Sequence, residues 1–110
     1  MDANAVVLTG RIVELAPLRH TPAGLPLLTF KLAHQSMQHE AGMARKAECE
    51  VSGMAIGEAA TRMIRFKTGD TIKAAGFLNR KSRMSTQLIL HVNQTELLED
   101  THHAQTSAIR

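Results

Sequence analysis

Arg80, Lys81 and Arg83 place three cations within four positions, inside the interval 79–85, which has no apolar period. Guanidinium and ammonium groups at that density suit one kind of chemistry. They neutralise phosphates, and each contact releases condensed counterions, so the affinity depends on salt and tolerates any sequence. Arg11 and Lys73, on flanking strand-like runs, offer two more cations for the same task. A net charge of +3 favours a polyanionic partner without identifying one. The alternative, a solvated loop kept basic for solubility, stays open on charge alone.

Other chemistries find little support. One cysteine, Cys49, excludes paired-cysteine zinc sites and any internal disulfide, which fits a reducing cytoplasm. His34 and His39 are five apart with no third ligand, and His102 and His103 fall in the C-terminal residues. Glu48 and Glu50 share a strand face with Lys46, an exposed-face pattern rather than an acid/base pair. His34 reads as a structural histidine near a strand end, and Cys49 as a small buried apolar residue. Neither a GxxxxGK[ST] phosphate loop nor a GxSxG elbow is present. No catalysis, cofactor or metal is expected. No apolar run approaches membrane-spanning length, and the first residues lack a basic segment ahead of their short apolar run, so neither membrane nor secretion is expected.

The elements that would carry the basic loop are two period-2 runs. In GDTIKAAGFL (69–78) the inner parity is Ile72, Ala74, Gly76 and Leu78; in TQLILHVNQTELL (86–98) it is Leu88, Leu90 and Val92. Upstream, 4–15 predict a long first strand, in which Gly10 either marks a bend or bulge that lets it serve both halves of a small barrel or is incidental to an ordinary strand. The Pro- and Gly-rich 16–26 predict a hairpin connection. A second strand follows over 27–35 (Leu28, Phe30 and Leu32 inward), then a loop over 36–44 and a third strand over 45–55. From 56 to 66 the period changes to helical, with Ile56, Ala60, Met63 and Ile64 on one stripe. Three strands, a short helix and two strands predict an all-β, five-stranded oligonucleotide-binding (OB) barrel spanning 1–100, with the helix between strands 3 and 4 and a flexible tail over 101–110.

Four stretches, APLRHTPAGLP, HQSMQHEAG, GDTIKAAGFL and LILHVNQTELL, fall in one family's order and together resemble the primosomal replication protein N (PriB) family of bacterial replication restart. The resemblance implies a homodimeric OB fold without enzymatic activity. It implies binding to single-stranded DNA and to the helicase PriA, with other primosome proteins as further partners. By position it implies a DNA surface touching Arg19, His20, Gln35, Met43, Glu48, Arg80, Lys81 and Arg83, to which Arg11, Lys46 and Lys73 are added as nearby cations or cation-bearing strand positions. The chain departs from the family pattern near Met43 and Glu48, where the best-known members carry aromatic residues, and near Gln35, where they carry arginine. Stacking is worth about 1–3 kcal/mol per base, so a weaker, mainly electrostatic grip is expected, with protein contacts carrying more of the function.

Two other readings compete with the primosomal adaptor: a general single-strand coating protein, and an OB module acting only through protein contacts. Dimerisation has separate support. Val7, Val13, Ile89 and Leu97 lie on the parities opposite their strands' inner sets, as they would if a second face were covered, by a second copy or by the protein's own loops and helix.

Overall fold

The computed structural model describes residues 2–99; the expected tail, 101–110, lies outside them. Closure of the fold depends on β1 (Val6–Leu15), which changes partner along its length. Residues Val6 to Arg11 pair antiparallel with β5 (Thr71–Arg80), and Arg11 to Leu15 with β3 (Pro26–Glu40). Gly10 sits at the changeover. A Cβ there would stand 3.0 Å from the Leu32 Cβ and 3.1 Å from the Ala33 carbonyl oxygen, so the missing side chain is what lets β1 cross β3 closely. A register shift between Ile12 and Glu14 completes the bend.

β3 pairs antiparallel with β4 (Met43–Ile56), β4 runs parallel to β6 (Leu88–Glu99) at Gly53 and Met54, and β6 pairs antiparallel with β5. The pairings return to β1, a closed circuit of five long strands with α1 (Glu58–Met63) between the third and fourth: the OB arrangement. A two-residue strand, β2 (Arg19–His20), lies within the 16–26 connection and pairs with Leu27 and Pro26 of β3.

Inward parities fill the ring. Ile12, Leu28, Phe30, Leu32, Ile72, Ala74, Leu90 and Val92 are buried, and Ala60 and Met63 of α1 join the same core with Phe66. The turn before β5 is tied to β1: Ile12 N–H donates to the Asp70 carbonyl and Gly69 N–H to the Ile12 carbonyl, both at 2.8 Å. The Asp70 side chain accepts from Lys67 N–H at 2.9 Å.

The structure corrects the expected pattern in four places. Residues 36–44 are not a loop: β3 and β4 continue as a two-stranded ribbon in unbroken register from His34↔Cys49 to Glu40↔Met43. It turns through Ala41 and Gly42, both at positive φ (52 and 77), which suits a tight two-residue hairpin. Cys49 is exposed, not buried, because it lies on the core-facing parity beyond the end of the ring, where the ribbon has nothing to pack on. The helix is six residues long with Gly57 (φ 72) as its N-cap, so Ile56 belongs to β4; the chain turns after Met63, leaving Ile64 exposed and Phe66 buried. In β6, Leu88 is 61% exposed while Ile89 is 4% exposed, so Ile89 is covered by its own chain rather than left for a partner.

Candidate nucleic-acid interface

The loop between β5 and β6 spans 81–87 and is braced. Lys81 N–H donates to the Gln87 carbonyl at 2.8 Å, closing its neck, and Ser85 N–H donates to the Ser82 carbonyl at 3.2 Å. Gln87 N–H donates to the Ser85 hydroxyl at 3.0 Å, and the Arg80 guanidinium reaches the Arg83 carbonyl at 3.3 Å. Cations on such a frame give up less conformational entropy on binding a phosphate than cations on a free loop.

The opposite wall comes from the 16–20 segment. Its β2 pairing holds Arg19 and His20, both exposed, against β3. Between the walls, the outward face of β3 and β4 forms a floor. An open cleft of about 520 Å³ results, lined by Arg19, Lys31 and Lys81 with Glu14, Leu15, Thr29 and Ser52. Lys31 pairs with Glu14 at 3.2 Å; Arg19, Lys81 and Arg83 have no ion pair among the described residues. This is the OB position at which the first- and last-loop segments flank the second and third long strands.

The remaining expected residues divide. Arg11, Gln35 and Glu48 line a neighbouring cleft of about 660 Å³, with Glu50 and His34. The His34 ring lies 2.6 Å (Nδ1) from the Thr9 carbonyl and 2.8 Å (Nε2) from the Ser36 hydroxyl, which makes it a structural histidine. Gln35↔Glu48 and Met37↔Lys46 are cross-strand pairs on one face of the ribbon, whereas Met43, opposite Glu40 at the tip, falls on the other face. Lys46 is 3.8 Å from Glu48, which removes much of its charge from play. Lys73 stands apart on β5, opposite Thr9 and Glu96, in a shallow recess with Arg62.

Lys31 is the residue that sequence reasoning missed. It sits on the outward parity of the second strand, and register with Glu14 and Ser52 was needed to place it in the cleft. Among the described residues, no three His, Cys, Asp or Glu side chains are placed to hold a metal ion, and no helix is long and apolar enough to cross a membrane.

Comparison with known proteins gives the site its context. Residues 4–94 match a family model described as another single-strand binding protein family. The chain is 43% identical over 98 residues to replication restart protein PriB of Nitrosomonas europaea, covering 89% of this chain and 91% of the relative. A solved PriB structure from Ralstonia solanacearum superposes with a TM-score of 0.80 at 29% identity, covering 87% of this chain and 98% of that one. The single-stranded DNA binding protein of Thermus aquaticus superposes with a TM-score of 0.72 at 23% identity over 91% of this chain and 52% of that one, a likeness of fold alone.

Proposed function

The chain belongs to the PriB family of single-strand binding proteins, and from that premise we propose that it binds single-stranded DNA through the cleft between the 16–20 segment and the 81–87 loop. The observation that carries this reading is the convergence of Arg19, Lys31 and Lys81 on one open cleft, beside Arg80 at the end of β5 and Arg83 on the braced loop. Cations meet the phosphates, while Phe30 and Ile89 beneath them, 5% and 4% exposed, offer bases little surface. Arg11, Gln35, Lys46 and Glu48 form a weaker continuation along the ribbon, where acidic residues offset the cations; His20, Met43 and Lys73 lie at its margins.

In this reading the protein works by binding rather than by catalysis, in the cytoplasm where the chromosome is copied. It joins single-stranded DNA to the helicase PriA and its assembly partners during replication restart. It does so as a homodimer. Between Val6 and Leu8 one edge of β1 pairs with no strand among the described residues, and Val7 there is 62% exposed. An open strand edge is a template for pairing with a second copy. Sedimentation that finds only monomer at micromolar concentration overturns the dimer, and a titration in which PriA never associates overturns that partner.

The decisive experiment is fluorescence anisotropy of a labelled oligo-thymidine over a salt series, for the protein and for the triple variant Arg80→Ala, Lys81→Ala, Arg83→Ala. Loss of three contacts flattens the log–log salt slope by about 2 and weakens binding by on the order of a hundredfold at low salt. An unchanged slope removes the loop from the site. Absence of any salt-sensitive binding overturns the DNA reading.

A further inference from the structure

The chain has three phenylalanines and no Trp or Tyr. Phe30 and Phe66 are buried at 5% and 4% exposure, and only Phe77 reaches the surface, at 38%. It is not alone there. Phe77 of β5 is the cross-strand partner of His91 of β6, and the two rings stack with centroids 4.9 Å apart at 12°. Parity places the pair outside the ring, since their neighbours Gly76, Leu78, Leu90 and Val92 take the inward positions.

The stack joins the basic cleft. His91 pairs in register with Met54 of β4, and Met54 with Thr29 of β3, so one outward row runs Phe77, His91, Met54, Thr29 across four strands. Thr29 lines the cleft that holds Arg19, Lys31 and Lys81. Ile89, also in that cleft, precedes His91 by two residues, about 7 Å along the strand. The cleft therefore opens sideways onto an aromatic surface with no barrier of acidic side chains along the row.

We propose that the Phe77–His91 pair is a base-stacking platform that continues the single-strand path out of the cleft. The inference rests on the DNA reading above and adds to it a second kind of contact, one that depends on bases rather than phosphates. Aromatic faces receive any base, because every base has a π-face. Prior stacking on His91 holds the Phe77 ring in place before a base arrives, and continuity with the cationic cleft selects a nucleic-acid strand as the occupant. The two ring positions that the resemblance leaves empty near Met43 and Glu48 thus do not exhaust the stacking surface of this protein.

The test uses the absence of indole in the chain. Phe77→Trp puts a single Trp at the platform, and its emission is followed while a labelled thymidine oligonucleotide, or an abasic oligonucleotide of the same length, is titrated and binding is read by anisotropy. The expected result is quenching by the thymidine strand and none by the abasic strand while both are bound. Phe77→Leu, which keeps the site apolar and whose folding is checked by circular dichroism, is expected to weaken thymidine-strand binding about tenfold, to leave abasic binding unchanged and to leave the salt slope intact. Binding without quenching, or an equal loss for both strands in Phe77→Leu, overturns the platform while the cleft reading stands. Absence of binding by the unsubstituted protein overturns both.

Discussion

β3 and β4 run side by side from Leu27↔Ile56 to Glu40↔Met43 in one unbroken register, yet their two halves behave as different materials. In the half within the ring, Leu28, Phe30, Leu32 and Ala55 are buried and Gly53 admits the Phe30 ring so closely that a Cβ would lie 2.4 Å from it. In the half beyond the ring both faces meet water, with Met37 and Met43 62% and 63% exposed. Charge follows the same division. On the ribbon Arg45 pairs with Glu40 at 3.1 Å and Lys46 with Glu48 at 3.8 Å, so its cations are answered by its own acids. On the body, Arg19 and Lys81 converge on Lys31 with one carboxylate, Glu14, between them. Identical backbone pairing thus yields a binding face only where a packed core and two flanking segments give the strand a third dimension.

The largest effect expected from that contrast is on stability. A Cβ on Gly76 would fall 1.7 Å from the His91 carbonyl oxygen, a backbone atom that cannot swing away. Gly76→Ala should cost about 3 kcal/mol or more in urea denaturation, at the upper end for overpacking, whereas Met43→Ala on the ribbon should change stability by about 0.5 kcal/mol or less. Similar losses at the two positions would mean that the ribbon is packed as the body is.

A smaller effect separates the charges. Glu14→Gln releases Lys31 from its only ion pair among the described residues, and oligo-thymidine affinity should rise two- to threefold, about 0.5 kcal/mol for a surface pair. Lys46→Ala should lower affinity by less than about twofold, because Glu48 already offsets that ammonium. Anisotropy titrations at one low salt concentration compare them directly. A greater loss from Lys46→Ala than gain from Glu14→Gln would move the DNA path from the cleft to the ribbon.

The same boundary separates what was legible in the sequence from what was not. Leu28, Phe30 and Leu32 alternate because one face is buried, and so does Ile72, Ala74, Gly76, Leu78; both strands were readable, as was the bend at Gly10. Past His34 the ribbon buries neither face, so Ser36 to Glu40 carries no period, and a strand held by backbone pairing alone resembles a loop. Cys49 misled for a related reason: its parity is inward, but parity does not say where the core ends. Ile64 misled because a six-residue helix stops before its stripe does. Within the site, the loop cations were visible as a cluster, while Lys31 and the Phe77–His91 stack depend on partners 17 and 14 positions away in the chain, which only register supplies.

A last substitution probes whether the ribbon is a separate cooperative unit. Ala41 holds φ 52 at the first central position of the turn, where an L side chain other than Asn or Asp is strained, and Asn followed by Gly42 is the favoured two-residue hairpin sequence. Ala41→Asn should relieve about 0.5–1 kcal/mol. If ribbon and body unfold together, the gain appears globally as a rise in Tm of a few degrees. If the ribbon opens on its own, Tm stays fixed and only the amides near the turn exchange more slowly, because local opening is then the cheaper event. The exposure of both ribbon faces and the absence, among the described residues, of a third strand beside them favour the second outcome. A variant with neither change would show that the positive φ at Ala41 carries no strain worth relieving.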